Sequence, residues 1–379
     1  MRTWPRDGVP DRPGAWLTTV ARRQALNHLR RGRTEQAKLL LLGPTERDGT
    51  DLDPSSVDPD AIPDDRLRLV FTCCHPALAP EAQVALTLRL VCGVATPDVA
   101  RALLVSETTM AARITRAKQK IAVARIPYAE PEPDQRAERL DAVLTVVHLV
   151  HSTGHTAPSG PDLVRDDLAE RALDLARMLR RLLPREPEVA GLLALLLTHH
   201  ARRATRTDAD GGLVRLADQD RSRWDRALIA EADDLVVEAL RAGPAGRFAL
   251  QAAIACLHAQ SPSYAATDWP QLVVLYDALG RVWPSPVVAL NRAVAVAEVE
   301  GPDAALELVR QIEQDGRLDR YPYLPATRAE LLSRLGRHDE AVEALRRALA
   351  LTDNEAERAH LAARIDDEAE REAAEEGHG

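Results

Sequence analysis

The sequence predicts an all-α protein, and three observations carry that prediction. Apolar residues recur at spacings of three and four along most of the chain, whereas the alternation expected of half-buried strands is scarce. Hydrophobic residues make up 45% of the composition, enough to bury real cores. Aromatics are only 3%, so those cores must be built from Leu, Val and Ala. With 379 residues the chain is expected to hold two or three domains.

The elements follow in order. Residues 13–38 read as one helix whose buried face is Trp16, Leu17, Val20 and Ala21. Arg22, Arg23, Arg30 and Arg31 stand off that face, and Gly32 weakens the helix end. Residues 43–63, GPTERDGTDLDPSSVDPDAIP, read as an acidic flexible linker rich in Pro, Gly and Ser. A helical block spans 64–126, with helices near 65–75, 80–92, 97–104 and 107–125, and stops at Pro127. PYAEPEPDQ, 127–135, reads as a hinge, and 136–379 continues as helix after helix. Near the end Ala293 and Ala305 recur thirty-six residues later as Ala329 and Ala341, with Gly336 and Ala348 completing a small-residue pattern. Small residues at these points let antiparallel helices approach closely, as in tetratricopeptide-type hairpins. A generic alanine-rich helical domain would give the same pattern.

Residues 96–125 are the most informative stretch. Thr96 and Pro97 suit a helix start, with Val99, Ala100 and Leu103 as its inner face and Leu104 and Val105 as a turn. Ser106 is placed to cap a second helix, in which Met110, Ile114, Ala117 and Ile121 form one buried stripe. Arg113, Arg116, Lys118, Lys120 and Arg125 are left for the outside. A cationic helix braced by a short partner is the geometry that enters a DNA major groove. The alternative is an ordinary helical hairpin with a solvated basic face.

Net charge is −9, which argues against a protein that coats nucleic acid, but the distribution is uneven. Residues 1–38 carry nine basic against three acidic side chains, and the last fourteen residues carry seven acidic against Arg371 alone. Basic charge concentrated on two N-terminal helices suits local phosphate contact. No apolar run reaches the roughly 18 residues of a membrane span, and the start MRTWPRDGVPDRPG has no apolar leader segment. Four cysteines without a disulfide framework fit a reduced, cytoplasmic chain.

Other constellations are weaker. Cys73, Cys74 and His75 resemble metal ligands, but adjacent cysteines on a helix diverge, and buried packing with Cys92 nearby is the better reading. His199 and His200 read as helix-end residues near the surface. TDADGG, 207–212, begins like a calcium loop but has Gln219 where the bidentate glutamate belongs, so Asp208, Asp210, Gly211 and Gly212 read as a tight turn. DQDRSRW, 218–224, reads as an internal salt-bridge node or, alternatively, a partner surface. No catalytic triad, Walker loop or dinucleotide fingerprint occurs, so no enzyme, cofactor or metal is expected.

The chain resembles the bacterial extracytoplasmic-function sigma factors that carry a tetratricopeptide-like C-terminal extension. The resemblance rests on PGAWLTTVARRQALNHLRR, on 64–121 with FTCCHPAL and MAARITRAKQKI, and on 191–231 and 267–302. It implies that 1–42 is the C-terminal part of sigma region 2, 64–126 is region 4 and 136–379 is a regulatory extension. It implies promoter DNA and core RNA polymerase as partners, with a protein partner of the extension as a further expectation. Ser106, Thr108, Arg113, Arg116, Lys118 and Lys120 would then meet the −35 element, and Arg22, Arg23, Arg30 and Arg31 the −10 region. The acidic linker would run toward the polymerase channel. Measured against the family, the chain begins inside region 2: either the start codon is called late, or the N-terminal part is absent and polymerase contact is weakened or incomplete. Asn27 replaces a usual acidic residue, Ala112 a usual glutamine, and HLVHSTGHT (148–156) a usual Tyr-Leu-x-Phe-Asn-Glu-Gly-Tyr motif. The alternative function is a helical-repeat scaffold with a vestigial DNA-binding part.

Overall fold

A computed structural model describes residues 65–103, 105–155, 159–160, 164–209 and 211–376. The expected helix 13–38, with Arg22, Arg23, Arg30 and Arg31, and the expected linker 43–63 lie outside the described residues. The described chain is nearly all helical, as the sequence predicts, and its contacts divide it into two units, Met1–Val143 and Leu144–Gly379.

The first unit contains α1 (Asp65–Cys73), α2 (Pro80–Leu86), a single π-helical turn (Thr87–Val91), α3 (Thr96–Ala102), α4 (Glu107–Val123) and the start of α5 (Arg136–His155). α1 presents Leu67, Val70, Phe71 and Cys74 at helical spacing, and all four are buried. Leu86, Leu88, Val99 and Met110 are each at most 1% exposed, so the interior of this unit is aliphatic, with Phe71 as its large ring. The segment expected to act as a hinge is tied into this unit. Thr72 Oγ1 donates to the Pro127 carbonyl at 3.2 Å, and Arg139 Nη2 donates to the Phe71 carbonyl at 2.7 Å. The division falls inside α5, at Val143/Leu144.

The second unit continues α5 and adds α6 (Asp166–Leu182), α7 (Pro187–Ala201), α8 (Arg226–Arg241), α9 (Arg247–Gln260), α10 (Trp269–Val282), α11 (Pro286–Val299), α12 (Pro302–Asp315), α13 (Tyr323–Arg334), α14 (His338–Ala350) and α15 (Glu355–Glu376). β1 (Ser159–Gly160) and β2 (Asp353–Asn354) form one short parallel pair. α7, PEVAGLLALLLTHHA, is apolar all round and buried from Val189 to Thr198, because α6, α8 and α9 pack on it. Such contact demands small residues. A Cβ on Gly191 would lie 2.5 Å from the Ala249 backbone nitrogen. Glu188 of α7 locks the crossing by accepting from Phe248 N at 2.9 Å and Ala249 N at 3.1 Å, so a carboxylate caps the positive end of α9.

From α9 onward each helix packs on its neighbours in sequence. Ala293, Ala305, Ala329 and Ala341 are each 0% exposed and sit where α11 to α14 pack together. Gly336, in the left-handed region at φ 69°, makes the turn between α13 and α14.

Two glycines in helices therefore predict opposite outcomes. Gly191→Ala should lower the unfolding free energy of the second unit by about 3 kcal/mol, since backbone must move. Gly280→Ala, where an added Cβ meets nothing within 4 Å, should raise it by about 0.5–1 kcal/mol. Urea denaturation followed by circular dichroism checks both.

Candidate nucleic-acid interface

Helices α3 and α4 meet as a helix-turn-helix. Ser106 caps α4: its Oγ accepts from Thr109 N at 3.2 Å and shares hydrogen bonds with the Thr108 and Thr109 hydroxyls at 3.0 and 2.8 Å. The hydroxyls of Ser106 and Thr108 are thus engaged in the cap itself. The start of α3 differs by one residue from expectation. Ala95 is its N-cap and makes no side-chain cap bond, so Thr96 and Pro97 already lie in the first turn. Val105 N returns to the Ala100 carbonyl at 3.0 Å and closes the turn. Met110, Ile114, Ala117 and Ile121 are buried, as the stripe requires, and Val99 and Ala100 are buried in α3, which packs on α4.

That stripe decides which side chains face outward. Each residue advances roughly 100° around the helix, so the positions opposite the stripe are Thr108, Ala112, Thr115 and Gln119. All four are exposed. Arg116 and Lys120 are exposed beside them, whereas Arg113 and Lys118 are half-buried and flank the stripe. Lys118 leans toward α1: burial pushes the Cys73 thiol well up, Cys74 and Cys92 add to the rise, and the Lys118 charge opposes it. Among the described residues, none of these four cations has a carboxylate at ion-pair distance. Thr115 and Gln119 escape a search for charge, although counting the helical period from Met110 finds them. Beyond α4, Arg125 takes the left-handed φ of 51° and Ile126 N reaches the Ile121 carbonyl at 3.0 Å, which ends the helix.

Cys73 and Cys74 are buried, and Cys74 Sγ lies 3.5 Å from Thr87 Oγ1; burial raises the Cys74 thiol to about 12. Among the described residues no group of three His, Cys, Asp or Glu side chains is placed to hold a metal ion. The TDADGG segment is a turn, with Gly212 N donating to Asp208 Oδ1 at 2.7 Å and Asp208 N to the Gly212 carbonyl at 3.0 Å.

His199 and His200 lie in the last turn of α7 and are half-buried, and the ring of His199 turns inward. Its Nδ1 is sealed from solvent, and its ring lies 4.7 Å from that of His155 and 5.7 Å from that of His151. His151 and His155 stack at 5.4 Å, one helical turn apart on α5. Burial holds the His151 imidazole down at about 3 and pushes His155 and His199 well below their ordinary value, with Arg202 or Arg206 adding to the effect in each case. In the DQDRSRW segment Asp218 joins ion pairs through Arg215 and Glu330 to Arg364, whereas Arg221 is held by carbonyl oxygens. Arg221 donates to the carbonyls of His258 at 2.6 Å and Ser261 at 2.7 Å, and its guanidinium lies 4.7 Å from the Trp224 ring centre. Asp218 and Asp220 serve local bonds to Arg215 and Ser222.

This geometry defines the class: residues 68–121, running from α1 through the buried stripe of α4, match the sigma-70 region 4 family, so the chain is a sigma-factor-like protein with a non-enzymatic DNA-binding domain. Residues 139–240, which include the histidine group and the DQDRSRW segment, match a family of unknown function, DUF6596. The whole chain is 45% identical over 372 residues to an uncharacterized protein of Rhizobium meliloti (strain 1021), covering 97% of this chain and 86% of that protein. The chain belongs to the same family as that protein. No helix among the described residues is long and apolar enough to cross a membrane.

The buried imidazoles predict a pH dependence. Their folded pKa values are depressed, as at His148 and His258, which burial holds at about 4. Below the ordinary histidine value of about 6.5 the unfolded chain takes up protons that the folded chain refuses. Stability is therefore complete above about pH 6.5 and falls as the pH drops toward 4. A melting temperature that declines steadily from pH 7 to pH 5, less so in His151→Phe, is the expected result.

Proposed function

We propose that this chain is a transcription initiation factor of the extracytoplasmic-function sigma type, in which α4 reads the −35 element of promoter DNA. The observation that supports the reading most is that the exposed, unpaired Arg116 and Lys120 border the face of α4 opposite a fully buried stripe, inside the residues that match region 4. Arg116 and Lys120 stand at the front. Arginine can bond a guanine edge in two places, and lysine serves phosphate. Arg113 and Lys118 flank the helix and take phosphate roles, while Ser106 and Thr108 hold its N-terminus at the groove. Arg22, Arg23, Arg30 and Arg31 face the −10 region in this reading, with core RNA polymerase as the second partner and the cytoplasm as the place of action. In the same reading 1–42 is part of region 2, 43–63 a linker, 127–135 a connection, and 136–379 a tetratricopeptide-like extension that regulates the factor or engages a protein partner. The 0% exposed alanines at thirty-six-residue spacing support the repeat character of the extension.

Neutralising Arg116 and Lys120 together tests the central element. With a −35 duplex in fluorescence anisotropy, the double alanine variant should bind more weakly, and the slope of log affinity against log salt should shrink by about 2. An unchanged slope would remove α4 from the interface. Co-purification with core polymerase and run-off transcription test the initiation role.

A further inference from the structure

The second unit contains a concentration of buried bases with too little acid to match. Arg202, just beyond α7, is 9% exposed. Its guanidinium donates no hydrogen bond to any described residue, its Nε is sealed from solvent without a partner, and no carboxylate among the described residues is within ion-pair distance. It lies 5.2 Å from the ring centre of Trp224, which also carries Arg221 at 4.7 Å. Trp224 is itself fixed, 3% exposed, with Nε1 donating to Thr205 Oγ1 at 2.9 Å. One indole thus has two buried guanidinium groups against it.

The surrounding atoms repeat the pattern. Arg221 uses Nη1 on two carbonyls and leaves Nη2 buried without a partner. His199 Nδ1 and His258 Nδ1 are likewise buried and unpartnered. The charged groups that act on Arg202 are Arg206 and Arg221, both cations, and those that act on His258 are Arg202 and Arg221. Arg206 differs, with Asp166 and Glu357 among its neighbours. A buried cation without a counter-charge is strongly unfavourable, and the unpartnered N–H groups at Arg202 Nε and Arg221 Nη2 compound the penalty. A bound anion relieves both at once.

We propose that Arg202 and Arg221, the two guanidinium groups against Trp224, form with the neighbouring His199 and His258 a binding site for an oxyanion, the phosphate or carboxylate group of a small effector. Planar guanidinium groups pair with two oxygens of such a group, and a neutral imidazole can donate only from the ring nitrogen that holds its proton. The site lies in the extension and stands whether or not α4 reads promoter DNA.

The test is thermal denaturation of the full chain titrated with sodium phosphate and, in parallel, with sodium acetate and sodium chloride at matched ionic strength. Phosphate or acetate should raise the melting temperature by about 3 °C over chloride. A response to both marks a general oxyanion site, and a response to one names the source. Arg202→Met should abolish that shift and should also melt higher than the wild type in chloride, since an uncompensated buried charge has been removed. Equal melting in all three salts overturns the proposal. So does a shift that persists in Arg202→Met, or an Arg202→Met protein that melts lower in chloride, the result expected of a merely structural cation. Should the variant not fold, calorimetric titration of the wild type with inorganic phosphate decides, absence of saturable heat being the negative.

Discussion

One helix with no polar side sets the terms for the second unit. α7 has to be covered on every face, and the chain covers it with α6, α8 and α9. Few aromatic rings are at hand to fill gaps, so the coverage relies on close approach through glycine and alanine. Gly191 against the Ala249 backbone is one such case. Enclosing the apolar stretch also encloses the residues next along the chain. Thr198 turns inward, bonds the Ala194 carbonyl at 2.8 Å and touches Cys256 Sγ at 3.3 Å. His199 and Arg202 come next, and the same coverage buries their bases. The cationic interior of this unit is a consequence of how its most apolar segment packs.

The first unit works by a similar logic with a different result. The Met110–Ile121 stripe is short and regular, so α4 has one orientation that buries it. Fixing the back of the helix fixes the front. The cap at Ser106 fixes where the helix begins, and the left-handed residue Arg125 fixes where it stops. A reading surface needs this kind of rigidity, because base edges are recognised over fractions of an ångström.

Much of this was legible in the sequence. The four helices of the first unit start within one residue of where periodicity and punctuation put them, and α1, α3 and α4 end two residues early while α2 passes at Leu86 into a π turn that ends at Val91; α3 and α4 carry strong local signals, a proline near the start, a serine cap and an uninterrupted stripe. The alanines of α11 to α14 were legible for the same reason. What was lost depends on contacts distant in sequence. His199 read as a near-surface helix end, and the sequence did not show that α5 brings His151 and His155 beside it. Arg221 looked like half of a salt bridge, yet its partners are carbonyl oxygens 37 and 40 residues onward. The front of α4 was legible in its charges but not in Thr115 and Gln119, which a search for charge passes over.

The pairing of Ser159 with Asp353 and Gly160 with Asn354 joins one end of the helical stack to the other. Arg215 adds a second long-range link, at 3.7 Å from Glu330, within that span. An open stack of hairpins behaves like a zipper, in which the outermost teeth part without disturbing the rest. Fastening the first tooth to the last makes a clasped bracelet. A disturbance at either end of the stack therefore has a direct route to the other, which an open zipper lacks.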